Sequence, residues 1–452
     1  MATSSFEATI DEVVLYKFGI GSLSSFNFVN IISQVIELNV FESLFSPVIR
    51  SEIVVADAIG LFTNFPLSGE EIVKISYTTA QDDVRDEIMV VESVEDISAS
   101  DDNRMVTYIL RCVSLEAWAN ARRNVQKSYQ GTSVDMVRGI FDDFIERPLS
   151  RLVSTFNPKP IIATASEEDP FLFVVPNVKP FAAINMISKY AAPKSDQAFS
   201  YMFYQNKEAY HYKTLQDIFA ETRSGANRRN ALRNSYRYVS DELDSEQYNN
   251  DSRLVTNLVF NRRLSTLNKI DLGYIQNKYF EINPAQKAYF VTERRPEDVP
   301  YIEQNTLNTQ NYKNITPIDE GEEPANRVKY VINNFRENDI NSPVDTFRER
   351  WGRDLIAHTA LSQIDLTVTI PGDPKINIGE LFHLDIPKIH GFNLNEEDDL
   401  ISGFFIVTEK RDTLTQDGSF ATSLRIQKDS YDTPIDKASL YNHNRGRDIF
   451  IS

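Results

Sequence analysis

The sequence predicts an α+β fold dominated by antiparallel strands, arranged as two similar β-units with an α+β insertion between them. Three observations carry this. Short alternating runs rich in β-branched and aromatic residues fill both ends of the chain. Apolar residues in the middle recur at helical spacing instead. The two β-rich ends also follow one order of strands and turns, which is the mark of an internal repeat.

The first β-unit is assigned to residues 1–113. Ile31 to Val40 interleaves β-branched and polar residues, and Ser51 to Asp57 reads as the next strand, followed by a turn or short helix through Gly60. Gly69-Glu70-Glu71 opens a strand over Ile72 to Tyr77. Ile88 to Val91 and Met105 to Cys112 are two more strands, separated by the polar turn Ser98 to Asn103.

The pattern changes at Ser114, and residues 114–240 form the α+β insertion. Leu115 to Val125 favours a helix. Thr132 and Asp135 are spaced as a capping box for a second one, whose stripe is Val134, Val137, Phe141, Phe144 and Ile145. Pro180 suits a first helical position, and Phe181, Ile184, Ile187 and Tyr190 follow at i+3 steps. Tyr201 to Tyr204 and Ala209 to Tyr212 suggest a hairpin. The basic run Ala220 to Asn230, with Arg223, Arg228 and Arg229, reads as an exposed loop.

Residues 241–363 hold a strand, a long loop insert and a helix. Leu254 to Arg263 is strand-like, Lys269 to Val291 alternates as a hairpin would, and Glu293 to Glu323 reads as loop. Ser342-Pro343-Val344-Asp345 leads into a helix bearing Phe347, Trp351, Leu355 and Thr359 at i+4 steps. The second β-unit covers residues 364–433. Ile364, Leu366, Val368 and Ile370 alternate with polar residues, Pro371-Gly372-Asp373 turns, and strands follow at Gly379 to Ile386, Gly403 to Glu409 and Phe420 to Lys428. Residues 434–452 form a polar tail that ends on Ile449-Phe450-Ile451.

The repeat sets Gly69-Glu70 against Gly379-Glu380, Ile88 to Val91 against Phe404 to Val407, and Thr107 to Arg111 against Thr422 to Arg425. Duplication of one β-unit suits an architectural role.

Composition narrows the function classes. The 452 residues are 41% hydrophobic and 25% charged, as in ordinary globular chains, and suffice for two to four domains. A net charge of −18 repels phosphate backbones and argues against a general nucleic-acid binder. The single cysteine, Cys112, excludes an internal disulfide and lies in an alternating apolar run that predicts burial. Met1 to Val14 lacks a basic segment followed by an apolar one, and no run of 18 apolar residues occurs. The expectation is a chain folded in a cytoplasm, with no membrane.

Sites of known chemistry are hard to find. Gly19-Ile20-Gly21-Ser22 stops short of a phosphate-binding loop, and neither GxSxG nor HExxH occurs. His211, His358, His383, His390 and His443 lack short metal spacing, and Pro387 separates the closest pair. Glu396-Glu397-Asp398-Asp399 lacks the ligand alternation of a calcium loop and suits a solvated turn. Arg223, Arg228 and Arg229 suit an exposed loop or subunit contact better than a nucleic-acid patch. No catalytic, cofactor-binding or metal-binding residue is assigned.

Two stretches carry a resemblance. Ile36 to Phe45 with Gly69 to Val73 resembles the first domain of baseplate central hub proteins of T-even-like contractile-tailed phages. Leu366 to Asp373, Ile378 to Leu381, Ser402 to Val407 and Thr422 to Ile426 are similar to the second barrel of those hubs and, more distantly, to the hub part of contractile-injection and type VI secretion spike proteins. The resemblance implies two tail-tube-like β-barrel domains and a homotrimeric ring joining a sixfold tail tube to a threefold central spike. Its implied partners are the spike, the tube or tube-initiator protein, the tape measure protein and the baseplate wedge proteins. DNA would pass the channel without specific binding. The implied place is the virion, with assembly in the host cytoplasm and no enzymatic role. Two alternatives stay open: another tail component of the tube fold, such as a tube initiator or distal tail protein, and a tail-associated glycan hydrolase.

Overall fold

The computed structural model describes residues 7–17, 28–80, 83–99, 105–153, 156–164, 170–191, 201–223, 225–238, 253–263, 266–274, 276–284, 287–295, 307, 310–311, 327–332, 344–387, 398 and 401–431. The expected loop over Glu293 to Glu323, the acidic run except Asp398, His390, His443 and the tail lie almost wholly outside the described residues.

The first unit comprises β1 (Ala8–Tyr16), β2 (Phe28–Asn30), β3 (Val35–Ser43) and β4 (Arg50–Asp57), then the short helix α1 (Leu61–Asn64), and then β5 (Ile72–Thr79), β6 (Val84–Ala99) and β7 (Val106–Ser114). All of its pairings are antiparallel, in the order β3-β4-β7-β6-β5-β1-β2. The alternation read from the sequence is the burial alternation. Leu38 and Val40, Ile53 and Val55, and Leu110 and Cys112 all enter one core. β6 is far longer than its apolar segment, because residues 92–99 continue the strand with charged and polar side chains.

The insertion holds α2 (Leu115–Arg122), β8 (Ser128–Gly131), α3 (Ser133–Phe141), α4 (Arg147–Leu152), β9 (Ile161–Ala163), β10 (Phe171–Val174), α5 (Pro180–Ser188), β11 (Tyr201–Gln205) and β12 (Tyr210–Thr214). Thr132 caps α3 as its spacing predicts, accepting from the Asp135 backbone N–H. Val137, Phe141 and Ile145 are buried with Phe181, Ile184 and Ile187 in a second core, which also takes Ile72 and Val90 from the first unit. The expected loop at Ala220 to Asn230 is instead part of two helices, α6 (Leu215–Arg223) and α7 (Gly225–Arg233). An exposed helix such as α7 needs no apolar stripe, so periodicity could not reveal it.

Two short parallel strands, β13 (Tyr236–Tyr238) and β14 (Leu254–Val255), lead to β15 (Asn257–Arg263). Then come α8 (Thr266–Asp271), β16 (Asn277–Asn283), β17 (Ala288–Arg294), β18 (Gln310–Asn311), β19 (Arg327–Ile332) and the long helix α9 (Val344–Leu361). β16 and β17 pair as the hairpin the sequence suggests, and β19 joins β16 in parallel. The second unit follows with β20 (Ile364–Pro371), β21 (Leu381–Asp385), β22 (Gly403–Thr415) and β23 (Phe420–Lys428), and ends in β24 (Ser430–Tyr431).

Five strands of the second unit repeat five of the first. β3-β4-β7-β6-β5 in one corresponds to β15-β20-β23-β22-β21 in the other, every neighbour antiparallel. Matching bulges interrupt β6 between Val91 and Ser93 and β22 between Val407 and Glu409. The Val91 N–H bonds to the Glu71 carbonyl, whereas the Val407 N–H bonds to the Glu380 carbonyl. Glu71, not Glu70, is therefore the counterpart of Glu380, a one-residue correction to the sequence alignment. Both carboxylates reach back three residues, to the backbone N–H of Ser68 and of Asn377.

The fold is thus α+β and mainly antiparallel. Among the described residues the strand ladders of the two units run on as one joined sheet, and neither unit closes on itself. The join is made by β22 and β3.

Candidate functional site

With no catalytic motif in the sequence, the candidate site is the surface by which one β-unit meets another. Within the chain that meeting is visible. Glu409 to Thr415 of β22 pairs antiparallel with Ser43 to Glu37 of β3. Asn39 fixes the register: its Oδ1 accepts from Arg411 Nε at 2.9 Å and Thr413 Oγ1 at 2.8 Å, while its Nδ2 donates to Glu37 at 2.7 Å. The units also exchange apolar side chains. Leu44 is buried in the core of the second unit, and Leu414 and Phe420 are buried in the core of the first.

Behind this ladder lies a closed cluster of charge. Arg85 is buried within 2.6 Å of Glu42, 3.2 Å of Glu87 and 3.5 Å of Asp412. Lys410 reaches Asp412 at 3.2 Å, and Lys159 from the insertion reaches Glu87 at 3.1 Å. Three cations therefore face three anions where the first unit, the second unit and the insertion meet. Burial opposes ionisation of Glu42, but Arg85, Lys410 and Lys159 outweigh it and hold its carboxyl below the usual range. Burial likewise opposes the charge on Arg85, and Tyr77, Glu42, Glu87 and Asp412 more than restore it. Glu116, nearby, is pushed up by burial despite Lys159.

Sequence reading missed this cluster, although a signal was present. Glu42 shares the inward parity of Leu38 and Val40; Arg85 and Glu87 share that of Met89 and Val91; Lys410 and Asp412 share that of Leu414. Charges at inward positions on three strands have to meet one another.

The repeat counterparts of β3 and β22 are β15 and β6. Among the described residues β15 pairs only with β20, and residues 93–99 of β6 pair only with β7. Each therefore offers one open edge. These edges carry exposed apolar side chains, Ile97 at 54% and Val259 at 45%. Between the units lies a concavity of about 1300 Å³ whose walls repeat one another. On one wall Arg111 lies near Glu52 and Glu95; on the other Arg425 binds Asp365 and Glu409.

A serine, a histidine and an aspartate also meet at β21. Ser235 Oγ donates to Asp385 Oδ2 at 2.6 Å and lies 2.8 Å from His383 Nδ1, itself 3.3 Å from Asp385 Oδ1. Serine and aspartate thus share one ring nitrogen, whereas a relay needs them on opposite nitrogens. His211 is buried, which lowers its pKa to about 4. Among the described residues no three His, Cys, Asp or Glu side chains are grouped to hold a metal. Cys112 is buried, as its alternating run predicts. Of the basic cluster, Arg228 lies over the Phe404 ring at 4.1 Å and donates to the Leu307 carbonyl, so it serves packing.

No family model matches the sequence. Over 271 residues, 57% of this chain, it is 24% identical to a protein of Vibrio phage KVP40 described as a probable baseplate hub protein. The chain is similar to phage baseplate hub proteins. It spans 59% of the length of that relative. The fold agrees. A tail protein from Neisseria meningitidis MC58 superposes with a TM-score of 0.52 at 12% identity, covering 92% of this chain and 96% of that one. The 43 kDa tail protein of prophage MuSo2 from Shewanella oneidensis gives 0.51 at 10%, covering 94% and 100%. The two structural likenesses show a fold shared with phage-type tail proteins.

Proposed function

We propose that three copies close into a ring that serves as the hub of a contractile-tail baseplate, joining the sixfold tail tube to the threefold central spike. The observation that carries this is the pair of open edges. The chain shows how its units join, through β3 and β22, and among the described residues the equivalent strands β15 and β6 are unjoined at its two outer ends. Repeating the internal joint between copies pairs β6 of one with β15 of the next and covers both edges. The register follows from the repeat. Glu95 corresponds to Arg411, and position 262 to Phe41, so positions 95 and 262 stand opposite each other.

The two faces of such a ring differ. The hairpins β6–β7 and β22–β23 are equivalent and lie at one end of the joined sheet, giving six near-equal contacts from three chains, suited to the tube or a tube-initiator protein. At the other end β7 leaves for the insertion, and the excursion from β15 to β20 begins and ends. Those additions occur once per chain and suit the threefold spike. The tape measure and wedge proteins would contact the same assembly. Two tube-like units per chain then line a channel with the charge-paired Arg111 and Arg425 walls, through which DNA passes without specific binding. The role is structural, without catalysis, in a virion tail assembled in the host cytoplasm.

Copy number tests this. Native mass measurement of the chain, with and without the co-expressed spike protein, is expected to give three copies. Six copies would favour a tube-like tail component, and release of dye from labelled cell walls would favour a glycan hydrolase.

A further inference from the structure

Among the described residues, the sheet β16–β17–β19 is packed on one side only. Its inner face packs on α9, with Tyr279 buried 5.9 Å from the Trp351 ring and Asn277 Nδ2 donating to the Gly352 carbonyl at 3.2 Å. Its outer face carries Phe280, Ile282, Tyr289, Val291, Tyr330 and Ile332, brought side by side by the strand register. Phe280 and Tyr330 stack at 5.1 Å, and the other side chains are 41% to 74% exposed. A contiguous apolar face on an anchored sheet marks a contact surface.

Its place in the repeat says what covers it. In the first unit β3 and β4 are joined by residues 44–49, while in the second unit residues 264–363, which include this sheet, fill the same place between β15 and β20. In the chain the sheet therefore follows the end of the open β15 edge. At the matching point of the internal joint, Leu44 leaves β3, donates its N–H to the Thr408 carbonyl at 2.8 Å and is buried in the other unit. The area points the same way. A seven-pair ladder like the internal one is about 23 Å long and about 10 Å deep. That covers roughly 230 Å², well short of the about 800 Å² per partner in a stable interface.

We infer that the outer face of β16–β17–β19 is a contact surface for a second copy of this chain, flanking the β15 edge; this rests on the ring reading above. The full chain carrying Tyr330→Asp with Ile332→Asp is compared with wild type by sedimentation across concentration. Both replaced side chains are largely exposed in the single chain, so the far-UV spectrum is expected to hold, with only a small fall in Tm from the lost Phe280 stack, while the association midpoint rises at least tenfold. A trimeric wild type with an unchanged midpoint in the variant overturns this inference and leaves the ring standing. A wild type that never associates overturns both. Should the double variant misfold, a benzophenone amino acid in place of Tyr330 decides the matter. Light-induced linkage between two copies is expected, and its absence from a trimeric sample overturns the inference.

Discussion

The internal joint and the two outer edges are built on the same strands of the same repeat, yet they are finished differently. At the joint, β3 and β22 are bonded along seven residue pairs, Leu44 and Phe420 cross into each other's cores, and Arg85 gathers Glu42, Glu87 and Asp412. At the outer edges, Val259 and Ile97 face solvent and the bonding side of each strand is open among the described residues. A joint within one chain can be locked with buried charge because all its parts fold together. On the ring proposed above, an outer edge has to stay soluble until a second copy arrives.

Breaking the lock should have the largest effect. Arg85→Met leaves three carboxylates facing two lysines in a buried space, with an expected loss of about 3–5 kcal/mol, read by urea unfolding. Leu44→Ala removes a side chain buried in the opposite unit, with an expected loss of about 2–5 kcal/mol. Acid should act on the same place. Because its folded pKa is lowered, Glu42 contributes stability that is present above its unfolded value and lost as pH falls through the folded one. Wild type should weaken below about pH 4.5, the ordinary glutamate value. In Arg85→Met that acid-dependent loss should shrink, and urea midpoints against pH would show it. At the open edge, Val259→Thr should change the stability of the single chain by no more than about 0.5 kcal/mol.

The sequence displayed the strands with apolar cores, the Thr132 cap and the repeat, because alternation and capping are local properties. It hid what depends on distant partners. The outer half of β6, Ser93 to Ala99, has the composition of a turn, and only its ladder with β7 makes it a strand. Lys410 and Asp412 lie past the strand read over Gly403 to Glu409, and it is β3 laid beside them that carries the strand on to Thr415. The α7 helix shows no stripe because its residues are half-exposed or exposed, and Arg228 makes its contact through a guanidinium over a ring.

The central claim is that the outer edges repeat the internal joint between copies. Its most direct measurement is oxidation of the full chain carrying Glu95→Cys with Arg262→Cys, run on a non-reducing gel. Opposed residues on paired strands lie within the about 4.4–6.8 Å Cα separation a disulfide spans, and the native Cys112 is buried. The account predicts two-chain and three-chain species that stop at three, as a closed ring requires. Absence of cross-linking, or a ladder that runs on past three, would contradict it.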